Sequence, residues 1–236
     1  MSETLDTGLL TEAPRRPRGR PRKSPDDRDE GNRRQLLIHA AAALFRNKGF
    51  AATSTRDIAA AVGMQSGSPF YHSKSKGALL HEVMAQGMRS ALRQQALALQ
   101  ALRQSHDAAQ AVGDEYSGGA APSPAEALRA LIRAHFDILL CPGSDFVPVM
   151  LYEWRSLTPR QRETVVALQR EYEAPWLPVL QDLHRQGRLH ANVHLARLLI
   201  LGALNWSVQW FNAEQGGSLD ELSDVALRLF IHPEAA

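Results

Sequence analysis

From about residue 31 to the end of the chain, apolar residues recur three and four apart, and no stretch alternates with period two. Such a pattern buries one stripe of each helix and offers no strand, so an all-α fold is expected. The helix ends are legible from caps and breakers. A first helix is expected over 31–48, with Leu37, Ala40, Ala41, Leu44 and Phe45 on one stripe and Gly49 as its stop. Ser54 caps a second, short helix with Asp57 in its first turn, and a third short helix covers 66–72. Ser75 caps a long fourth helix of about 30 residues. Beyond a Gly- and Pro-rich loop at 113–124, helices are expected at 124–140 and near 146–156. Thr158 and Gln161 form a capping box that opens a helix reaching Gln186. Pro175 and Pro178 lie inside it, and each removes a backbone donor, which predicts a kink or break. Asn192 caps a helix over 195–211, and Ser218 opens a last helix striped by Leu219, Leu222, Val225, Ala226, Leu229 and Phe230. These make nine helices.

The chain has 236 residues and one cysteine, Cys141, so a disulfide scaffold and a four-cysteine zinc site are excluded. It has no apolar run long enough to span a bilayer and no basic segment followed by an apolar one at its start. The cytoplasm is the default expectation. The net charge of +2 conceals an asymmetry: residues 1–80 hold 14 Lys and Arg against 8 Asp and Glu, and the remainder holds 13 against 17. A basic first third on a mildly acidic body suits a polyanion-binding module joined to something else. Residues 1–30 lack apolar periodicity and carry the run Arg15-Arg16-Pro17-Arg18-Gly19-Arg20-Pro21-Arg22-Lys23, which reads as a disordered basic arm. Residues 31–80 form a second unit and 81–236 a third.

The stretch from Thr53 to Lys76 is the most informative. Two short helices joined through Gly63 make a helix-turn-helix, whose second helix lies in the major groove with its early residues at the base edges. Those residues are Gln65, Ser66, Gly67 and Ser68, small or hydrogen-bonding, and Gly67 allows close approach of backbone to duplex. Tyr71, His72, Lys74 and Lys76 follow, suited to phosphate contacts.

With Gly49-Phe50, then Thr55 and Arg56 ahead of Asp57-Ile58-Ala59, then Gly63 through Lys76, residues 33–84 resemble the TetR family of bacterial transcriptional regulators. The resemblance implies an N-terminal three-helix DNA-binding domain and a helical ligand-binding and dimerisation domain. It adds Thr55, Arg56 and Phe70 to the DNA-contacting set. Three positions depart from the family pattern. Phe70 stands where a tyrosine is usual, Pro69 where a leucine is usual, and Ser73 where a core phenylalanine is usual. In the arm, Arg18, Arg20 and Arg22 sit in a segment resembling an AT-hook, which threads the narrow minor groove of A·T-rich DNA; a merely basic tail is the other reading.

In the resembled family the last two helices pair with a second subunit, which implies a homodimer binding a two-fold double-stranded DNA operator. All four tryptophans lie beyond residue 150. With few charges around them, the aromatics suit a pocket for a small apolar effector, although plain core packing is as consistent. The pocket is expected between the fourth helix and those after Pro124, lined by Phe136, Met150, Trp154, Tyr172, Trp176 and Trp206. The segment 201–210 resembles the branch of the family that senses lipid-like or acyl-CoA catabolites, for which Arg129, Arg133 and Arg155 could supply a basic mouth. No nucleophile, phosphate-loop or zinc motif is present, so no catalysis, metal or cofactor is expected. The implied function is a ligand-responsive regulator, a repressor released by its effector. An architectural DNA-binding protein that uses the arm and senses nothing is the alternative.

Overall fold

A computed structural model of the chain describes residues 26–64, 75–111, 121–141, 145–212, 214 and 217–233. Among these residues there are nine α-helices, two single 3-10 turns and no strand. The helices are α1 (Asp26–Lys48), α2 (Thr55–Ala61), α3 (Lys76–Ala111), α4 (Pro124–Leu140), α5 (Phe146–Tyr152), α6 (Pro159–Glu173), α7 (Trp176–Arg185), α8 (Val193–Trp206) and α9 (Leu219–Phe230). The helix expected over 66–72, the basic arm and most of the loop at 113–124 lie outside the described residues. The count of nine therefore arises differently: the helix expected over 158–186 is two.

Four other boundaries are corrected. Helix α1 begins at Asp26, inside the stretch read as arm. Its opening sequence, Asp26-Asp27-Arg28-Asp29-Glu30, places acidic residues where the helix dipole favours them, a signal that the absence of apolar periodicity obscured. Helix α3 has 36 residues. The segment near 146–156 is α5 followed by a 3-10 turn at Trp154–Ser156. The apolar helix expected to reach Phe211 ends at Trp206 and tightens into a 3-10 turn at Ser207–Gln209, where Ser207 Oγ donates to Leu204 O at 2.7 Å.

The expected caps form. Ser54 and Thr158 each accept from the backbone of the third helical residue, whose side chain accepts in return, Ser75 accepts from Ala78 N at 3.1 Å, and Asn192 and Ser218 also cap; Ser123, unforeseen, makes the same reciprocal box ahead of α4. The α6–α7 break falls at Ala174-Pro175. Pro178 sits in the first turn of α7, where its missing N–H costs nothing.

One core joins α1 and α3 to α4, α7 and α8. Leu37, Ala41 and Phe45 of α1 meet Leu80, Val83 and Met84 of α3, and Leu128, Leu131 and Ile132 of α4 meet Leu180 and Leu183 of α7. Helix α5 lies against α3 at Gly87: a Cβ there would stand 2.0 Å from Phe146 Cδ2. Gly87→Ala should therefore reverse the usual gain from replacing a helical glycine, and cost about 1–3 kcal/mol through overpacking. Chemical denaturation checks the sign; a more stable variant would mean that the Phe146 ring is free to leave.

Candidate DNA-binding surface and effector pocket

The helix-turn-helix is held from below by unexpected bonds. Thr53 is buried, and its Oγ1 donates to Gly49 O at 2.8 Å. Lys76 Nζ donates to Phe50 O at 2.8 Å, Thr53 O at 2.9 Å and Ala51 O at 3.4 Å, and lies 4.3 Å from the centre of the Phe50 ring. Those three bonds use all three ammonium donors. The phosphate role expected for Lys76 is thus corrected: the side chain braces the α1–α2 connection against the start of α3. Thr55 is half-buried and Arg56 exposed on α2. Gln65, Ser66, Gly67, Ser68, Phe70, Tyr71, His72 and Lys74 lie outside the described residues, as do Arg18, Arg20 and Arg22.

Two bonds tie this unit to the rest of the chain through α5. Asp145, at the start of α5, makes no capping bond and instead accepts from Arg46 Nη1 of α1 at 2.6 Å. At the other end, Glu153 Oε1 accepts from Phe50 N at 2.7 Å. The ion pair is half in solvent and contributes at most about 1 kcal/mol. Its value is geometric: one end of the short helix holds α1 and the other holds the α1–α2 connection.

The same helix walls a pocket of about 230 Å³. Phe146, Val147 and Met150 of α5 face Met88 and Ala91 of α3, Ile138 and Leu139 of α4, Tyr172 of α6, and Leu198 and Leu201 of α8. Of the six residues expected to line a pocket, only Met150 and Tyr172 do. Phe136 is buried in the core and Trp154 packs partly buried at its edge. Trp176 is completely buried, with Nε1 donating to Gln95 Oε1 at 3.0 Å. Trp206 is 65% exposed. Arg129 and Arg133 supply no basic mouth. Arg129 Nε binds Asp224 Oδ1 at 2.5 Å, and Arg133 binds Asp220 at 2.7 Å and Asp137 at 3.0 Å. The pairs with Asp220 and Asp224 fasten α9 to α4.

Apart from Tyr172, the polar residues of the pocket escaped the sequence reading. His135 is 6% exposed on an otherwise apolar face of α4, and its Nδ1 lies 2.7 Å from Tyr172 Oη. Burial pushes its pKa down to about 4, against a smaller opposing effect of Asn205. The unfolded chain thus takes up this proton first as pH falls, and stability should drop by about 3 kcal/mol between pH 6.5 and 4 on this account. Denaturation of the wild type and His135→Gln across that range checks it: the variant should lose less, and equal losses would mean that other groups carry the acid sensitivity. Among the described residues no three His, Cys, Asp or Glu side chains are grouped to hold a metal. Nor is any described helix long and apolar enough to cross a membrane.

The family model of bacterial regulatory proteins of the tetR family matches residues 37–83, and that of a tetracyclin repressor-like C-terminal domain matches residues 121–233. The chain belongs to the TetR family. Like other TetR-family members it joins a helix-turn-helix to a helical domain. It is 39% identical over 64 residues, 27% of the chain, to the HTH-type transcriptional repressor KstR2 of Rhodococcus jostii strain RHA1, a match spanning 31% of that repressor. Among solved structures, that of superantigen PfiT is 34% identical, covers 84% of this chain and 95% of its own, and has a TM-score of 0.65. The structure of AibR in complex with isovaleryl coenzyme A and operator DNA covers 84% of this chain and 97% of its own at a TM-score of 0.69; at 23% identity it shares the fold.

Proposed function

We propose that this TetR-family chain is a homodimeric repressor, acting in the cytoplasm, that leaves its operator when a small apolar effector fills the pocket behind α5. One observation carries the reading: α5 walls the pocket with Phe146, Val147 and Met150, and its ends hold α1 through Asp145–Arg46 and the α1–α2 connection through Glu153–Phe50. An effector that binds better when α5 is displaced would shift the population toward a dimer whose recognition helices no longer match two half-sites. The architectural alternative gives no reason for such a pocket.

Dimerisation is supported by a second apolar face. Leu195, Leu199 and Trp206 of α8 and Leu229 of α9 are 59%, 72%, 65% and 77% exposed, opposite the buried Ala196, Ile200, Leu204 and Ala226. Singly exposed apolar residues mean little, but a run of them along one side of α8, with Leu229 of α9, is what a subunit interface would cover. Leu198 belongs to this face, being 56% exposed, and also lines the pocket, so a second copy would close the pocket mouth.

Selection of bound duplexes from a random pool, followed by footprinting, tests the DNA half of the proposal. Two-fold symmetric sites are expected; indifference to sequence would favour the architectural reading. The arm is tested on the selected site. Deleting residues 1–24 should flatten the salt dependence of affinity by about 0.9 log units per lost phosphate contact. An unchanged slope would remove the arm from the complex.

A further inference from the structure

Resting on the sensor reading above, we propose that the effector site continues past Phe146 into a second, polar chamber. The two together take an uncharged amphiphile, with its apolar body behind α5 and a hydroxyl head beside Gln86. The second chamber, of about 380 Å³, lies where α1, α3 and the end of α4 meet the start of α5. Gly87 and Ser90 of α3 and Asp137 of α4 belong to its wall, and their chain neighbours Met88, Ala91 and Ile138 belong to the wall of the first. Among the described residues Phe146 alone belongs to both walls, and its ring occupies the place that a side chain at Gly87 would fill. The half-buried ring is thus a partition, and a change of its rotamer joins the chambers. Alone, the first chamber's 230 Å³ is less than the roughly 300–1,000 Å³ of pockets that take drug-sized ligands; joined to the second it falls within that range. Moving the ring also moves the start of α5, where Asp145 holds Arg46, which is the displacement that release of DNA requires.

The second wall sets the chemistry of the head. It carries both signs of charge, Arg93 against Asp137 and Asp145, so a charged head of either sign meets a like charge. Among its neutral groups, Gln35 shares a hydrogen bond with His39, and Gln94 Nε2 donates to Ser90 Oγ at 3.3 Å. Gln86 is half-buried and makes no hydrogen bond among the described residues, so its amide keeps both donors and its acceptor. A hydroxyl, which donates and accepts, is the smallest head that uses both sides of that amide.

Four probes, 1-octanol, octanoate, octylamine and cyclopentane, are titrated into the full-length protein and followed by the NMR signals of the Met150 methyl and the Gln86 side-chain amide. Octanol should move both signals in one saturating step and bind about tenfold more tightly than either charged analogue. Cyclopentane, which fits the first chamber, should move Met150 alone. Gln86 lies outside the core, so Gln86→Leu keeps the fold; it should weaken octanol about tenfold and leave cyclopentane unchanged. Gly87→Ala, which crowds the ring off the backbone and so favours the joined chambers, should tighten octanol. Octanol that moves Met150 but not Gln86, tightest binding of octanoate or octylamine, a Gln86→Leu protein that binds octanol as the wild type does, an octanol affinity that Gly87→Ala lowers, or no octanol binding would each overturn the proposal. Because DNA is absent, each of these results leaves the sensor reading standing; that reading fails in the operator-release measurement instead.

Discussion

Replacing the buried Gln95 with leucine, a change from polar to apolar in the middle of the core, should destabilise the protein by about 4 kcal/mol. Gln95 is 2% exposed on α3 and stitches the break between α6 and α7. Its Nε2 donates to Tyr172 O at 2.9 Å, and its Oε1 accepts from Trp176 Nε1 at 3.0 Å. Pro175 ends α6 and leaves the carbonyls of its last turn without the amide partners that a continuous helix would supply. Gln95 reaches across from a neighbouring helix to satisfy one of them. Leucine would leave that carbonyl and the indole N–H unpaired in a water-free site, at about 1–3 kcal/mol each. Denaturation of Gln95→Leu, Trp176→Phe and the double variant forms a cycle. The double variant should cost less than the sum, because Trp176→Phe removes one of the orphans. Strict additivity, or a Gln95→Leu protein as stable as the wild type, would show that these bonds do not bridge the break.

The second large effect is expected at Lys76. Lys76→Met keeps the side-chain stem and removes three charge-assisted bonds to the carbonyls of Phe50, Ala51 and Thr53. Such bonds contribute about 1.5–3 kcal/mol each and are not additive, so a loss near 4 kcal/mol is expected, concentrated in α1 and α2. Hydrogen exchange should show those two helices opening first, and DNA affinity should fall for every sequence alike. A phosphate-contacting lysine would behave differently: stability would hold, and the salt dependence of binding would weaken by about 0.9 log units. The two outcomes separate a brace from a contact.

Much of the fold was legible because helix ends are encoded locally. Ser54, Ser75, Thr158, Asn192 and Ser218 sit where a side-chain oxygen is needed, and each caps the helix it precedes. The start of α1 was missed because a charged opening turn and a charged tail look alike until the apolar stripe begins. The pocket was less legible, for two reasons. An aromatic on an apolar helix has the same signature whether it faces the core, a cavity or another subunit; Trp176 and Trp206 carry identical chemistry, yet one is completely buried and the other 65% exposed. A single polar residue within an apolar stripe forms no motif. His135 interrupts the sequence Leu131-Ile132-Arg133-Ala134-His135-Phe136, and only packing reveals that it meets Tyr172 and shares the pocket wall with Asn205. Lys76 failed for a third reason, since a basic residue beside a DNA-binding motif is read outward unless acceptors on its inner side are known.

The claim that pocket and DNA-binding unit are coupled through α5 is tested most directly by operator release. A selected operator duplex bound to the wild-type protein is titrated with a panel of small apolar compounds, beside a variant whose pocket is filled by Ala91→Leu. A third protein, Glu153→Ala, lacks the bond to Phe50 N but keeps the pocket wall. The wild type should release DNA at effector concentrations that saturate the pocket. Ala91→Leu should stay bound because the ligand is excluded, and Glu153→Ala should bind the ligand yet release DNA only weakly. A complex that no compound disturbs, or one that Ala91→Leu releases as readily as the wild type, would contradict the account.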